Sequence, residues 1–167
     1  AIARRISPQI SMLVPEGRQE VTTEGGLDVA GQAARMKEVV KRLKDGGLIV
    51  SAFIDADERQ VAACAAAGFD VCEIHTGPYA AAFAKAGGDC LVAELAERFD
   101  AVRRTGEAVR KAGLRFNAGH ALNYHNVQPI AALPGVAELH IGHAIVSRAV
   151  FVGLREAVRE MKRLMTQ

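Results

Sequence analysis

Apolar residues recur at Val29, Ala33, Met36, Val40 and Leu43, in steps of four and three that line one face of a helix. The spacing predicts an amphipathic helix over residues 29–43. Lys41, Arg42 and Lys44 are expected to oppose its dipole and Gly46-Gly47 to stop it, with Asp28 as its cap if the preceding segment is only a helix entry. Leu48 to Ile54 follows, apolar at nearly every position and rich in branched residues, as a strand covered on both faces would be. The alternation then repeats. A short helix over 57–67 stops at Gly68, and Val71 to His75 reads as a strand. Leu91, Leu95, Phe99, Val102, Gly106 and Val109 step along a long helix, and Leu114 to Asn117 is the next strand. A brief helix begins near Asn126, Glu138 to Ile141 is the last strand, and Ile145 to Met165 a single closing helix. One further strand, Ser11 to Val14, precedes the first full helix, and Ala1 to Ile6 reads as the tail of a helix already under way.

Strands that alternate with helices this regularly pair in parallel, because a crossover helix returns the chain to the same end of the sheet. About five strand-helix units are expected in a single α/β domain over residues 1–167, against the eight of a closed barrel. Composition agrees with helix-on-sheet packing: half the residues are apolar, yet tryptophan is absent and only eight residues are aromatic. Twenty-one basic against nineteen acidic residues give a net charge of +2, and no basic block stands out, so nucleic acid is not an expected partner. The run Leu48 to Ile54 is far short of the ~20 apolar residues of a membrane span, and a cytoplasmic location is expected. Three cysteines, Cys64, Cys72 and Cys90, have no C-x-x-C spacing and read as buried reduced thiols. The five histidines form no H-E-x-x-H pattern, so no metal site is expected.

In parallel sheets of this class, function collects at the C-terminal ends of the strands. Those ends carry Asp55, Glu73 with His75, Asn117 with His120, and His140 with Gly142 and His143. Side chains two apart share a face, so Glu73 and His75 point one way and Cys72 and Ile74 the other. A buried carboxylate such as Glu73 must be paired or used, and Arg115 is a candidate structural partner. His120 follows a glycine on a loop and can exchange a proton near neutrality, as a general acid does; the plain alternative is a surface histidine. The turn Ile141-Gly142-His143-Ala144 leads into a helix start, which offers either an anion site or an ordinary strand-to-helix connection. Thr22-Thr23-Glu24-Gly25-Gly26, with Arg18 nearby, could grip a phosphate or serve only as a helix entry.

Taken together, Leu13 to Val29, Phe53-Ile-Asp-Ala-Asp57, Glu73-Ile-His-Thr-Gly77, Asn117-Ala-Gly-His120, Tyr124-His-Asn-Val127 and Ile141-Gly-His-Ala-Ile145 resemble the pyridoxine 5′-phosphate synthase family. The resemblance runs through the chain in unbroken order, to Glu160-Met-Lys-Arg-Leu-Met165. It implies a (β/α)8 TIM barrel, of which this sequence would hold the last five units. It also implies a cofactor-free, metal-free condensation of two small phosphorylated substrates, 1-deoxy-D-xylulose 5-phosphate and 3-amino-2-oxopropyl phosphate, in a homo-oligomer. By the same resemblance His120 is the proton donor, Glu73 the transition-state carboxylate, and Thr22 and Ala121 substrate contacts. Gly142 and His143 form the phosphate cradle. Ala121 stands where the family usually has glycine, and residues 78–90 are a longer stretch than usual. The first three strands, with the general-base histidine and a second glutamate, are expected to lie before this sequence. Two other readings are a phosphate-binding barrel aldolase or isomerase, whose Schiff-base version is disfavoured because no strand end carries a lysine, and a non-catalytic barrel fragment acting in assembly.

Overall fold

All five apolar segments form strands, and each pairs in parallel with its successor. In a computed structural model, which describes residues 2–15 and 25–166, β1 (Ile10–Leu13), β2 (Ile49–Ile54), β3 (Val71–His75), β4 (Arg115–Gly119) and β5 (Val136–His140) make one sheet in chain order. The helices between them are α2 (Ala33–Lys44), α3 (Glu58–Ala67), α4 (Gly77–Lys85), α5 (Ala93–Lys111) and α6 (Val127–Ala131). α1 (Ile2–Ile6) precedes the sheet, and α7 (His143–Val152) and α8 (Leu154–Met165) follow it. The described residues therefore form the α/β arrangement that the alternation predicts.

Strand parity divides the sheet into two chemically distinct faces. Val50, Ala52, Ile54, Cys72, Ile74, Phe116 and Ala118 are buried against Val40, Val61, Cys64, Val102 and Val109 of the helices, and this layer is the hydrophobic core. Burying each large side chain there contributes ~1.5–3 kcal/mol. Close approach matters at one point: a Cβ on Gly106 would overlap the ring of Phe116, so the missing side chain lets α5 lie directly on β4. The opposite face holds Ser51, Phe53, Glu73, His75 and Asn117, all buried and most of them polar.

β5 reaches that polar face by an irregularity. Val136 pairs with Phe116 and Glu138 with Asn117, which leaves Ala137 as an extra residue between them. In an unbroken strand Glu138 and His140 would share the outer face with Val136. The extra residue reverses the parity, so Leu139 packs on the core while Glu138 aligns with Asn117 and His140 with Gly119. Bulges of this kind re-aim side chains beside functional sites.

Several boundaries differ from the sequence reading, each for a local reason. α2 begins at Ala33 rather than Val29, because Val29 and Ala30 donate their N–H groups to the Gln60 side chain, at 2.8 and 3.0 Å, instead of entering a helix. Asp28 does not cap α2; its carboxylate accepts from Gly31 N and the Gln60 amide. Residues 78–90, unassigned above, hold all of α4 but its first residue, with Pro78 in its first turn and Gly87 and Gly88 at positive φ after its end. The closing helix is two helices, broken at Gly153, whose φ of 82° and ψ of 152° no helix contains. Cys64 and Cys72 are buried as expected, but Cys90 is exposed.

Candidate active site

β3 and β4 deliver the first two functional groups. Register sets Glu73 beside Asn117 and His75 beside Gly119, with His120 one residue beyond the end of β4. The turn there is tightly specified: the Thr76 hydroxyl donates to the carbonyls of Gly119 and His120, at 2.7 and 2.6 Å, and Thr76 N–H donates to Gly119 O at 2.9 Å. His120 and Ala121 both adopt positive φ, 79° and 58°. For residues with a Cβ this left-handed conformation costs roughly 1–2 kcal/mol each, so the loop holds its shape against strain. Ala121 thus occupies a backbone geometry that glycine reaches freely, which gives a physical reason for the glycine preference noted above.

Around Glu73 the packing is close. Glu73 is only 3% exposed, and its Oε2 is hydrogen-bonded to Nδ1 of His140. The other oxygen, Oε1, lies over Gly119, where any Cβ would overlap it. Arg115, a candidate partner on the sequence alone, pairs instead with Glu138 at 3.2 Å. The bulge explains this difference: it turns Glu138 inward next to Arg115 and places His140, not Arg115, against Glu73. Glu138 also accepts from the Asn117 amide at 3.1 Å and approaches Nε2 of His140 at 3.4 Å. Hydrogen bonding to Glu73 is the largest influence on His140 and holds its proton affinity above the ordinary histidine range, against burial; Glu138 adds to it.

His120 stands in a different environment. Its ring lies edge-on to His75, with centroids 4.9 Å apart, and near Phe53 at 6.2 Å. His75 is itself buried and held by Asp55, Nδ1 to Oδ1 3.1 Å. Gly77 makes room for that ring, because a Cβ there would overlap Nε2. Burial first, and the neighbouring His75 second, lower the proton affinity of His120 below the ordinary value, with Glu73 acting in the opposite direction. The ring is therefore ready to accept a proton and hands one on easily when protonated.

The loop after β5 completes the wall. Gly142 is exposed, with nothing within 4 Å of where a Cβ would project, and it precedes the first turn of α7, which begins at His143. Backbone N–H groups at such a helix start are free to meet an anion. Glu73, His120, Ala121, His140, Gly142 and His143 line one cleft of about 590 Å³, with Met12, Val14 and Phe53 as its apolar floor. That volume is in the range of small-molecule sites. Five of the six site residues expected from the sequence thus meet in one place. The sixth, Thr22, lies outside the described residues.

The whole chain, residues 1–167, matches the family model described as pyridoxal phosphate biosynthesis protein PdxJ. The chain belongs to the PdxJ family. Curated relatives agree. It is 65% identical over 166 residues to a pyridoxine 5′-phosphate synthase of Aromatoleum aromaticum, covering 99% of this chain and 66% of the relative. Synthases of the same name from Azoarcus sp. and Rhodopirellula baltica are 63% and 51% identical, over 99% of this chain and 67% and 64% of their own lengths. The chain therefore spans about two thirds of the PdxJ proteins it matches.

Sequence reasoning missed the couple between His140 and Glu73 and the role of Glu138. The inward aim of His140 was legible from its alternation with Leu139 and Ile141. Ala137, the extra residue that brings Glu138 onto the same face, leaves no mark in the hydrophobic pattern.

Proposed function

We propose that these residues belong to a pyridoxine 5′-phosphate synthase, joining 1-deoxy-D-xylulose 5-phosphate to 3-amino-2-oxopropyl phosphate with loss of phosphate and water. The observation that carries the reading is the convergence of Glu73, His120 and the Gly142–His143 turn on one cleft at the strand ends. The N–H groups at the start of α7 hold the aminooxopropyl phosphate, and Gly142 lets it approach the backbone. His120, one loop away, donates the proton that converts a poor oxygen leaving group into water. Glu73 stabilises the cationic imine character that develops as the amine condenses with the carbonyl. Thr22 contacts the deoxyxylulose phosphate, and Ala121 N–H assists at the second ligand.

Among the described residues β1 and β5 have no outer neighbour, which fits five units of an eight-stranded barrel closed by further strands; a homo-oligomeric, cytoplasmic enzyme is part of the same proposal. Among the described residues no helix is long and apolar enough to cross a membrane. The aldolase alternative is weaker here, since none of the described residues lining the cleft is a lysine that could form a Schiff base. The test is product formation by the complete protein from the two phosphates, followed by chromatography. His120→Asn should lower turnover ~10²–10⁴-fold, and near-wild-type turnover in that variant would remove His120 from the chemistry.

A further inference from the structure

We propose that His140 is a positioning residue for Glu73, and that Glu138 orients His140 in turn, so that a chain of contacts on the inner face fixes the reacting carboxylate. Its kinetic arm rests on the synthase reading; its spectroscopic arm does not.

Each link has a structural basis. Glu73 is almost fully buried, and His140 Nδ1 is the hydrogen-bond partner of its Oε2 among the described residues. A carboxylate held on one oxygen can still turn, but the second oxygen is seated over Gly119, in the space a side chain would take. His140 and Gly119 therefore clamp the group from two sides, leaving one orientation relative to the cleft. The imidazole needs its own alignment, and Glu138 supplies it from Nε2, at 3.4 Å, while being anchored by Arg115 and Asn117. A carboxylate on one ring nitrogen orients the ring and favours its protonated form for the partner on the other. The charged and titratable groups around the ring are Glu73 on β3, Arg115 on β4, Glu138 on its own strand, and His120 and His143 in the loops bordering the cleft. Two acids against one guanidinium leave a charge that a proton on His140 balances. The raised proton affinity of His140 has the same origin.

Two measurements in the complete protein test this. The first follows the His140 ring by NMR as pH is varied, with His140→Asn assigning the signal. The titration midpoint should lie above that of an ordinary histidine, fall clearly in Glu73→Gln, and fall less in Glu138→Gln. A midpoint unchanged by Glu73→Gln overturns the proposal. The second is a double-mutant cycle on turnover. His140→Leu should lower kcat about 10²-fold, as expected when a reacting group is misplaced by about 1 Å, with KM for both phosphates within about twofold. In a Glu73→Gln background the same change should have little further effect. Losses that multiply would show that His140 acts independently of Glu73 and overturn the proposal. Should His140→Leu fail to fold, Glu138→Gln serves in its place, with a smaller kcat loss and the same unchanged KM. A protein that makes no product defeats the synthase reading, and the ring titration then decides the pairing alone.

Discussion

Gly119→Ala is a small perturbation with a large expected consequence. Gly119 has no positive φ, so alanine can adopt its backbone without strain and the whole effect is steric. The new methyl would overlap Oε1 of Glu73 and lie 2.9 Å from the carbonyl oxygen and 3.1 Å from the Cβ of His140. The β4–β5 ladder holds the His140 backbone, so the carboxylate must yield. Overpacking of this kind costs ~1–3 kcal/mol. Shifting the carboxylate also weakens its charge-assisted bond to His140, a class worth ~1.5–3 kcal/mol. The two costs overlap, because one movement relieves the first by incurring the second, and a net destabilisation of about 2 kcal/mol is expected. For a chain of this size that lowers Tm by roughly 4–8 °C, readable by calorimetry. Turnover should fall about 10²-fold, since the carboxylate that moves is the one lining the cleft. Gly142→Ala is the matched control: its methyl meets nothing within 4 Å, so stability should stay within about 0.5 kcal/mol. A Gly119→Ala protein with Tm within about 1 °C of wild type and kcat within about twofold would refute the claim that Glu73 is sterically clamped.

Gly142→Val should abolish the thermal stabilisation that inorganic phosphate gives the protein, whereas an unchanged shift would place the anion elsewhere. Ala121→Gly should leave stability unchanged or raise it by up to about 1 kcal/mol by chemical denaturation, because it relieves a left-handed alanine; an ordinary Ala→Gly loss would contradict the strain. His120 binds its proton more weakly than a free histidine, so kcat/KM, which reports the free enzyme, should decline as pH rises through a midpoint below ~6.5. His140 is shifted upward. Its stabilising contribution is present in full below ~6.5 and lost as pH rises through its higher folded value, so the wild-type minus His140→Asn stability difference, measured by urea unfolding, should shrink over that interval.

The fold was legible because the signals were repeated and local. Short apolar or alternating segments of four to seven residues, each followed by a helical face and the first three of those faces by a glycine stop, identify all five strands within two residues of their observed ends. α4 escaped although Pro78 and the alanine run after it are fair helix signals, because the longer pattern beginning at Leu91 drew the reading past them. The break at Gly153 escaped for the opposite reason: Val152 and Leu154 continue the apolar content on either side, and only the backbone angles reveal the turn. Of the site, Glu73, His120 and His143 were visible as polar residues at or just beyond strand ends, and Gly142 as the glycine of a turn into a helix start. The partners of Glu73 were not visible. They depend on the register of β5, which one unpaired alanine decides.

That alanine also bears on how a sheet can carry charge on a buried face. Glu73, Arg115, Glu138 and His140 form one connected set, balanced in charge when His140 carries a proton; the buried member, Glu73, is compensated through His140, while Arg115, Glu138 and His140 keep contact with solvent. With regular pairing, Ala137 and Leu139 would face inward, and Glu73 and Arg115 would stand there with neither Glu138 nor His140 beside them. The balance is incomplete: the Asn117 Oδ1 and Ser51 Oγ atoms, both fully buried, have no hydrogen-bond partner among the described residues. Such a group costs ~1–3 kcal/mol, and both stand on the face that carries the chemistry, not on the one that carries the core. The hydrophobic core and the proposed site therefore lie on opposite sides of the same sheet. Changes at Ile74 or Phe116 should register chiefly in Tm and changes at the exposed Glu138 chiefly in kcat, while His140 and Gly119, which both touch the buried Glu73 carboxylate, should register in both.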